Sequence, residues 1–151
     1  MSRPTHDLKL RAQDDADLTI MSACLQDAIL PAADMTYQAA EQRFIMVVNR
    51  FCWENRIGSD GEQQAPVKTD ERVISALHIN KVSGVQSKGF DPKDKTALIE
   101  ILALTYDDEA ITLHFSGGGK VRLQTDAIDA SLHDLGEHWA CTKAPHHDAG
   151  D

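Results

Sequence analysis

With 151 residues and a formal net charge of −9, the chain holds one domain's worth of sequence. The acidic balance excludes recognition of nucleic acid or an anionic membrane by bulk charge. Hydrophobic residues make up 42% and aromatics only 5%, so an aliphatic core is expected.

Leu8-Lys9-Leu10-Arg11 alternates apolar and basic residues, as a half-exposed strand does. Asp14 or Asp15 can then cap a helix whose apolar face is Leu18, Met21, Leu25, Ala28 and Ile29. Pro31 limits this helix to about Asp15–Leu30. Met35-Thr36-Tyr37 reads as a short strand and Ala39-Ala40-Glu41 as a turn. Arg43 to Trp53 is apolar on both parities, as in a strand buried on two faces, and its length predicts a bend or bulge near Asn49-Arg50. Asn55 to Glu71 is polar, contains Gly58, Gly61 and Pro66, and reads as a surface loop.

Val73 to Lys88 alternates irregularly, which predicts one bulged strand or two short ones. Gly89 to Asp94 is a turn, and Ala97 to Tyr106 fits a strand or a helix. Ile111, Leu113 and Phe115, then Val121 and Leu123, keep period two around Gly117-Gly118-Gly119, which predicts a hairpin. Thr125 or Asp126 is positioned to cap a second helix carrying Ile128, Leu132 and Leu135, with Gly136 to end it. Residues 1–6 and 143–151 are expected to be disordered tails on a single domain, 1–151.

The fold class these elements predict is α+β. A mostly antiparallel, bent sheet or partly closed barrel of about six or seven strands carries two packed helices. Such an order could suit a pleckstrin-homology-like barrel.

Ser116-Gly117-Gly118-Gly119-Lys120 has a phosphate-loop flavour, but no Ser or Thr follows Lys120, and a strand follows where a helix is needed. His133 and His138, with Cys141 near and His146, His147 and Asp148 beyond, invite a metal reading, but on a helix His133 and His138 point apart and Gly136 would end it between them, so no dedicated metal site is expected. Cys24, Cys52 and Cys141 show no C-x-x-C spacing and read as reduced thiols of a cytoplasmic protein. No apolar stretch follows Met1 and no run is long enough to span a bilayer. No cofactor is expected, since no motif for one is present.

The candidate binding surface is Arg50, Trp53 and Glu54 at the exit of the long strand, joined by Lys120 and Arg122. Arg50 and Glu54 share parity and would pair on one side of the strand. Lys81, Lys88, Lys93 and Lys95 concentrate positive charge in the middle of the chain, with Asp91 and Asp94 among them. No catalytic triad or carboxylate pair stands out. The leading function is therefore a non-catalytic protein-interaction or regulatory module, with a protein partner or a homodimer. An alternative is a small-molecule or anion-binding protein using Arg50, Lys120 and Arg122. A small enzyme without a recognisable motif is a third reading.

The segments Leu8-Lys9-Leu10, Leu25-Gln26-Asp27-Ala28, Asn49-Arg50-Phe51-Cys52-Trp53-Glu54, Phe115-Ser116-Gly117-Gly118 and Leu132-His133-Asp134-Leu135-Gly136, in that order, carry a resemblance. The chain is similar in them to an uncharacterised alphaproteobacterial domain-of-unknown-function family (DUF2948-like). The resemblance implies a short cytosolic protein and supplies no activity, cofactor or catalytic residue.

Overall fold

The computed structural model describes residues 8–53, 71–91, 93–94, 96–136 and 139–140. Among them are β1 (Lys9–Ala12), α1 (Asp15–Leu25), β2 (Ile29–Pro31), β3 (Met35–Gln38), β4 (Arg43–Phe51), β5 (Glu71–Ile79) and β6 (Gly84–Lys88). β7 (Leu98–Asp107), β8 (Ala110–Phe115), β9 (Lys120–Gln124), β10 (Ala130–Asp134) and β11 (Trp139–Ala140) complete the set.

The strands form one antiparallel path, β1-β10-β5-β4-β2-β7-β8-β9-β6, with β11 added to β5 and β3 to β4. β7 is the corner. Leu98, Ile99 and Glu100 pair with β2, whereas Ile101 to Asp107 pair with β8 through a register shift between Ile101 and Ala103. A shift of this kind bends a strand and re-aims its neighbours. The half-sheet of β1, β10, β5, β4 and β3 and the half-sheet of β7, β8, β9 and β6 therefore share one core. Met46, Leu77, Ile79 and Leu132 from the first are buried in the same cluster as Ile111, Leu113, Val121 and Leu123 from the second.

Asp14 begins α1 by accepting from the Asp17 N–H at 2.8 Å, and the Asp17 carboxylate accepts from Gln13 N–H at 3.1 Å. Leu18, Met21 and Leu25 enter the core. The helix also hydrogen-bonds to the corner strand, where the Ser22 hydroxyl accepts from Leu104 N–H at 2.9 Å. It stops at Leu25, short of the expected Leu30. Asp27 adopts a left-handed φ of 67° and its N–H donates to Ile101 at 2.8 Å. Ile29 to Pro31 then serve as β2, because pairing with β7 satisfies their backbone groups better than a helix ending in proline.

Several expectations are corrected. The second helix does not form. Ala130, Leu132 and Asp134 point inward and Ser131 and His133 outward in β10, which is laddered on both sides by β1 and β5. Ile128, Leu132 and Leu135 matched a helical period, but two ladders of backbone hydrogen bonds decide the outcome. The strand total exceeds six or seven, since β2, β10 and β11 were not foreseen as strands. The sheet is not closed, so it is no pleckstrin-homology-like barrel. Its path ends at β1 and β6, and α1 packs against β1 and β7. β4 has no bulge at Asn49-Arg50; its register with β5 is continuous from Phe44 to Phe51. The tails and all but the last residue of the expected Asn55–Glu71 loop lie outside the described residues, and Glu71 begins β5.

Other expectations hold. Residues 73–88 form two strands and 98–107 form a strand. β8 and β9 make the hairpin, with Gly117 and Gly118 at φ of 87° and 96° in its turn. No helix of the described residues is long and apolar enough to cross a membrane.

The β7–β8 turn uses Asp108 and Glu109 at φ of 51° and 59°, a two-residue connection that favours glycine at its second position. Glu109→Gly should raise stability by about 0.5–1 kcal/mol, since left-handed φ is costly for a residue with a Cβ. A shift of the urea midpoint to higher concentration at unchanged slope checks this.

Candidate functional site

Arg50 is fully buried, and it organises the first half-sheet. Its Nη2 donates to both oxygens of Asp134 at 3.1 and 3.2 Å, its Nε to Ser75 Oγ at 3.2 Å, and its Nη1 to Phe51 O at 3.5 Å. The Ser75 hydroxyl donates to Asp134 Oδ1 at 2.6 Å, and Leu8 N–H donates to Asp134 Oδ2 at 2.8 Å. Asp134 N–H donates in return to Leu8 O at 3.0 Å. The arrangement links four consecutive chain crossings: the start of β1, then β10, β5 and β4. Burial pushes the Asp134 carboxyl up, but the Ser75 hydroxyl, the Leu8 amide and the Arg50 guanidinium outweigh it and hold the carboxyl below its usual range. Enclosed on all sides, this network holds the fold and offers no access to a substrate.

Trp53 is also structural. Its indole N–H donates to Gln26 O at 2.7 Å, closing the C-terminal end of α1, and its ring meets Phe51 edge-on at 4.6 Å. Glu54 lies outside the described residues. Lys120 is exposed on β9, and Arg122, two residues on, donates to Asp108 O at 3.0 Å and Gln124 Oε1 at 3.2 Å. Arg50 points into the core of one half-sheet and Lys120 and Arg122 lie outward on the other, so these three do not share one face.

Two outward surfaces do assemble. On the first half-sheet the outward positions of β1, β10, β5, β4 and β3 hold Lys9, Arg11, Arg72 and Arg43 with His133 and His78, and no carboxylate. Between the cations lie Ile45, Val47 and Ile74, all partly exposed. Arg43 Nε donates to Asn80 Oδ1 at 3.0 Å, and Arg11 meets Asp129, in the turn before β10, at 3.4 Å while its side chain stays 64% exposed. Arg72 Nη1 donates to Asn49 O and Oδ1 at 3.1 and 3.0 Å and its guanidinium carbon sits 5.7 Å from the Phe51 ring centroid. The imidazoles of His78 and His133 lie 5.5 Å apart. Desolvation, then His133 and Arg43, push His78 below its ordinary pKa of 6.5.

The second surface is the outward side of β6, β9 and β8. Lys88 faces Lys120, and Lys120 faces His114. No sequence signal reveals this row, because residue spacing along the chain carries no register between strands. Among the described residues no group of three His, Cys, Asp or Glu side chains could hold a metal ion.

An open antiparallel sheet with one helix, a buried ionic tie and two polar outer faces defines a β-rich domain that presents surfaces. The chain belongs to the family described as "Protein of unknown function (DUF2948)", whose model matches residues 8–147. Neither the curated proteins nor the solved structures give a match.

Removing Asp134 leaves a buried guanidinium without its carboxylate. Asp134→Ala should therefore cost about 3–5 kcal/mol, and the combination Arg50→Met, Ser75→Ala, Asp134→Leu should cost much less. Denaturant melts check both. Because the folded carboxyl titrates below its ordinary 3.8, its contribution is full above that pH and is lost as pH falls toward the folded value. His78 runs in a higher window. The unfolded chain binds the proton more readily, so this contribution is full above 6.5 and fades as pH drops below it. Imidazole resonances should show His78 titrating below 6.5, and Arg43→Ala should move it upward.

Proposed function

We propose that the protein is a non-catalytic interaction module whose docking face is the outer side of the first half-sheet. One observation carries the reading. In a chain of net charge −9, the outward positions of five neighbouring strands hold four cations, two histidines and no carboxylate, around partly open aliphatic side chains. Such a surface is complementary to a protein partner that presents carboxylates around a small apolar centre.

Nucleic acid fits less well. Among the described side chains at the outward positions of these five strands, none is an exposed aromatic ring on which a base could stack, since Phe51 is buried. Catalysis also finds little support among the described residues. Of the groups with displaced pKa values, Asp134 is enclosed, Asp94 serves its own turn, and His78 lies on an outward sheet face.

The test uses Lys9 and Arg43, exposed residues outside the buried tie. Immobilised full-length protein in native lysate should retain a near-stoichiometric partner that elutes when salt is raised. A Lys9→Glu, Arg43→Glu variant should lose that partner while melting within a degree or two of the parent. A parent that emerges alone, or a variant that keeps the same partner, would overturn the reading. Self-capture measured by light scattering would replace the foreign partner with a second copy.

A further inference from the structure

We propose that the outer side of β6, β9 and β8 is a binding site for a small phosphate-bearing ligand, seated on the Lys88–Lys120–His114 row. The row is fixed by register. Lys120 is directly opposite Lys88 on one side and His114 on the other, and residues paired in this way project to the same face. Like charges directly opposite each other destabilise a sheet. No described carboxylate relieves them by an ion pair. The outward positions of the three strands contain no acid at all: Gly84 and Gln86 with Lys88, Arg122 and Gln124 with Lys120, Ala110 and Thr112 with His114.

Asp91 and Asp94, near in sequence to Lys88, are committed elsewhere. Asp91 accepts from Lys93 N–H at 2.9 Å, and Asp94 from Thr96 N–H and hydroxyl at 2.9 and 2.7 Å. A lysine on an edge strand can be explained as protection against edge pairing, and Lys88 on β6 fits that account. Lys120 does not, because β9 is covered on both sides. An anion bridging the row turns the repulsion into charge-assisted contacts of the kind ammonium groups make with phosphate.

The adjoining rows supply a place for the rest of the ligand. Gly84, Gln86, Arg122 and Gln124 line a shallow depression. A Cβ on Gly84 would meet nothing nearer than Gln124 Cβ at 3.9 Å, so the floor is open. Arg122 is held in place by Asp108 O and Gln124 Oε1, and Gln124 is itself fixed by donating to Glu109 O at 2.8 Å. A guanidinium positioned before binding loses little freedom when an anionic or hydroxylated body arrives.

Backbone NMR of the full chain, titrated with inorganic phosphate and separately with glycerol 3-phosphate, tests the site. Saturable shifts centred on β6, β9 and β8 are expected, with the ester binding more tightly than phosphate. In Lys88→Ala, Lys120→Ala the affinity should fall by about tenfold or more. Lys120→Gln should raise the melting midpoint by about 1–3 °C in phosphate-free buffer and lose the further rise that phosphate gives the parent. Equal shifts with chloride at matched ionic strength, or undiminished binding in the double variant, would overturn the site. Phosphatidylglycerol vesicles form the last arm. Retention on vesicles without a saturable response to either soluble phosphate would place the headgroup in a bilayer and overturn the small ligand.

Discussion

The Arg50–Asp134 ion pair is the constraint on which the first half-sheet depends. Both side chains are wholly enclosed, and a buried charge is tolerated only with opposite charge and hydrogen bonds around it. The carboxylate is saturated by Ser75, Leu8 and Arg50 together, so the pair fixes β1, β10, β5 and β4 in one register. A one-residue slip of any of these strands would turn its apolar set outward. It would also strand a buried charge. The ion pair thus adds little net stability over a hydrophobic replacement, while making incorrect registers costly.

The same pair explains what the sequence hid. Asp134 sits on the inward parity of β10 with Ala130 and Leu132, yet it looks like a solvent-facing acid. With Asp134 scored as polar, the alternation breaks and the remaining Ile128, Leu132 and Leu135 suggest a helix. Arg50 misleads in the same way. Its charge invites a surface role, whereas the side chain is buried and donates to a carboxylate 84 residues away. Where inward positions were apolar the sequence was legible: the β8–β9 hairpin, the Asp14 cap and the strand at 43–51 all follow from local pattern. Long-range polar burial leaves no periodic trace in the sequence.

The candidate surfaces were legible only in part. The sequence points to Lys120 and Arg122 as candidate binding residues and to Lys88 as part of a basic middle segment. Their meeting depends on β6 lying against β9 rather than against β5, the strand it follows in the chain. The β5–β6 connection makes that crossing possible. Lys81 takes a φ of 63°, Val82 is buried and donates to Gln42 O at 2.8 Å, and Ser83 donates to Gln124 O at 2.8 Å. Chain order therefore gave the charges, and only the crossover brought them into one row.

Charge is sorted by position in this fold. Carboxylates gather at the start of α1, where Asp14, Asp15 and Asp17 face the positive end of the helix, and in turns such as Asp108-Glu109. Cations occupy the outward positions of strands. Turn and cap positions demand short acceptors for exposed backbone N–H groups, which favours aspartate there. Long lysine and arginine stems cover partly open aliphatic sheet, which favours them on strand faces. Local backbone chemistry alone can thus separate the signs, without any need for a ligand. What it does not require is a row of basic residues opposed across an interior strand, or five neighbouring strands whose described outward positions hold no acid. Those two features exceed what capping and stem packing call for, and they are where selection for a bound anion or an acidic partner would leave its mark.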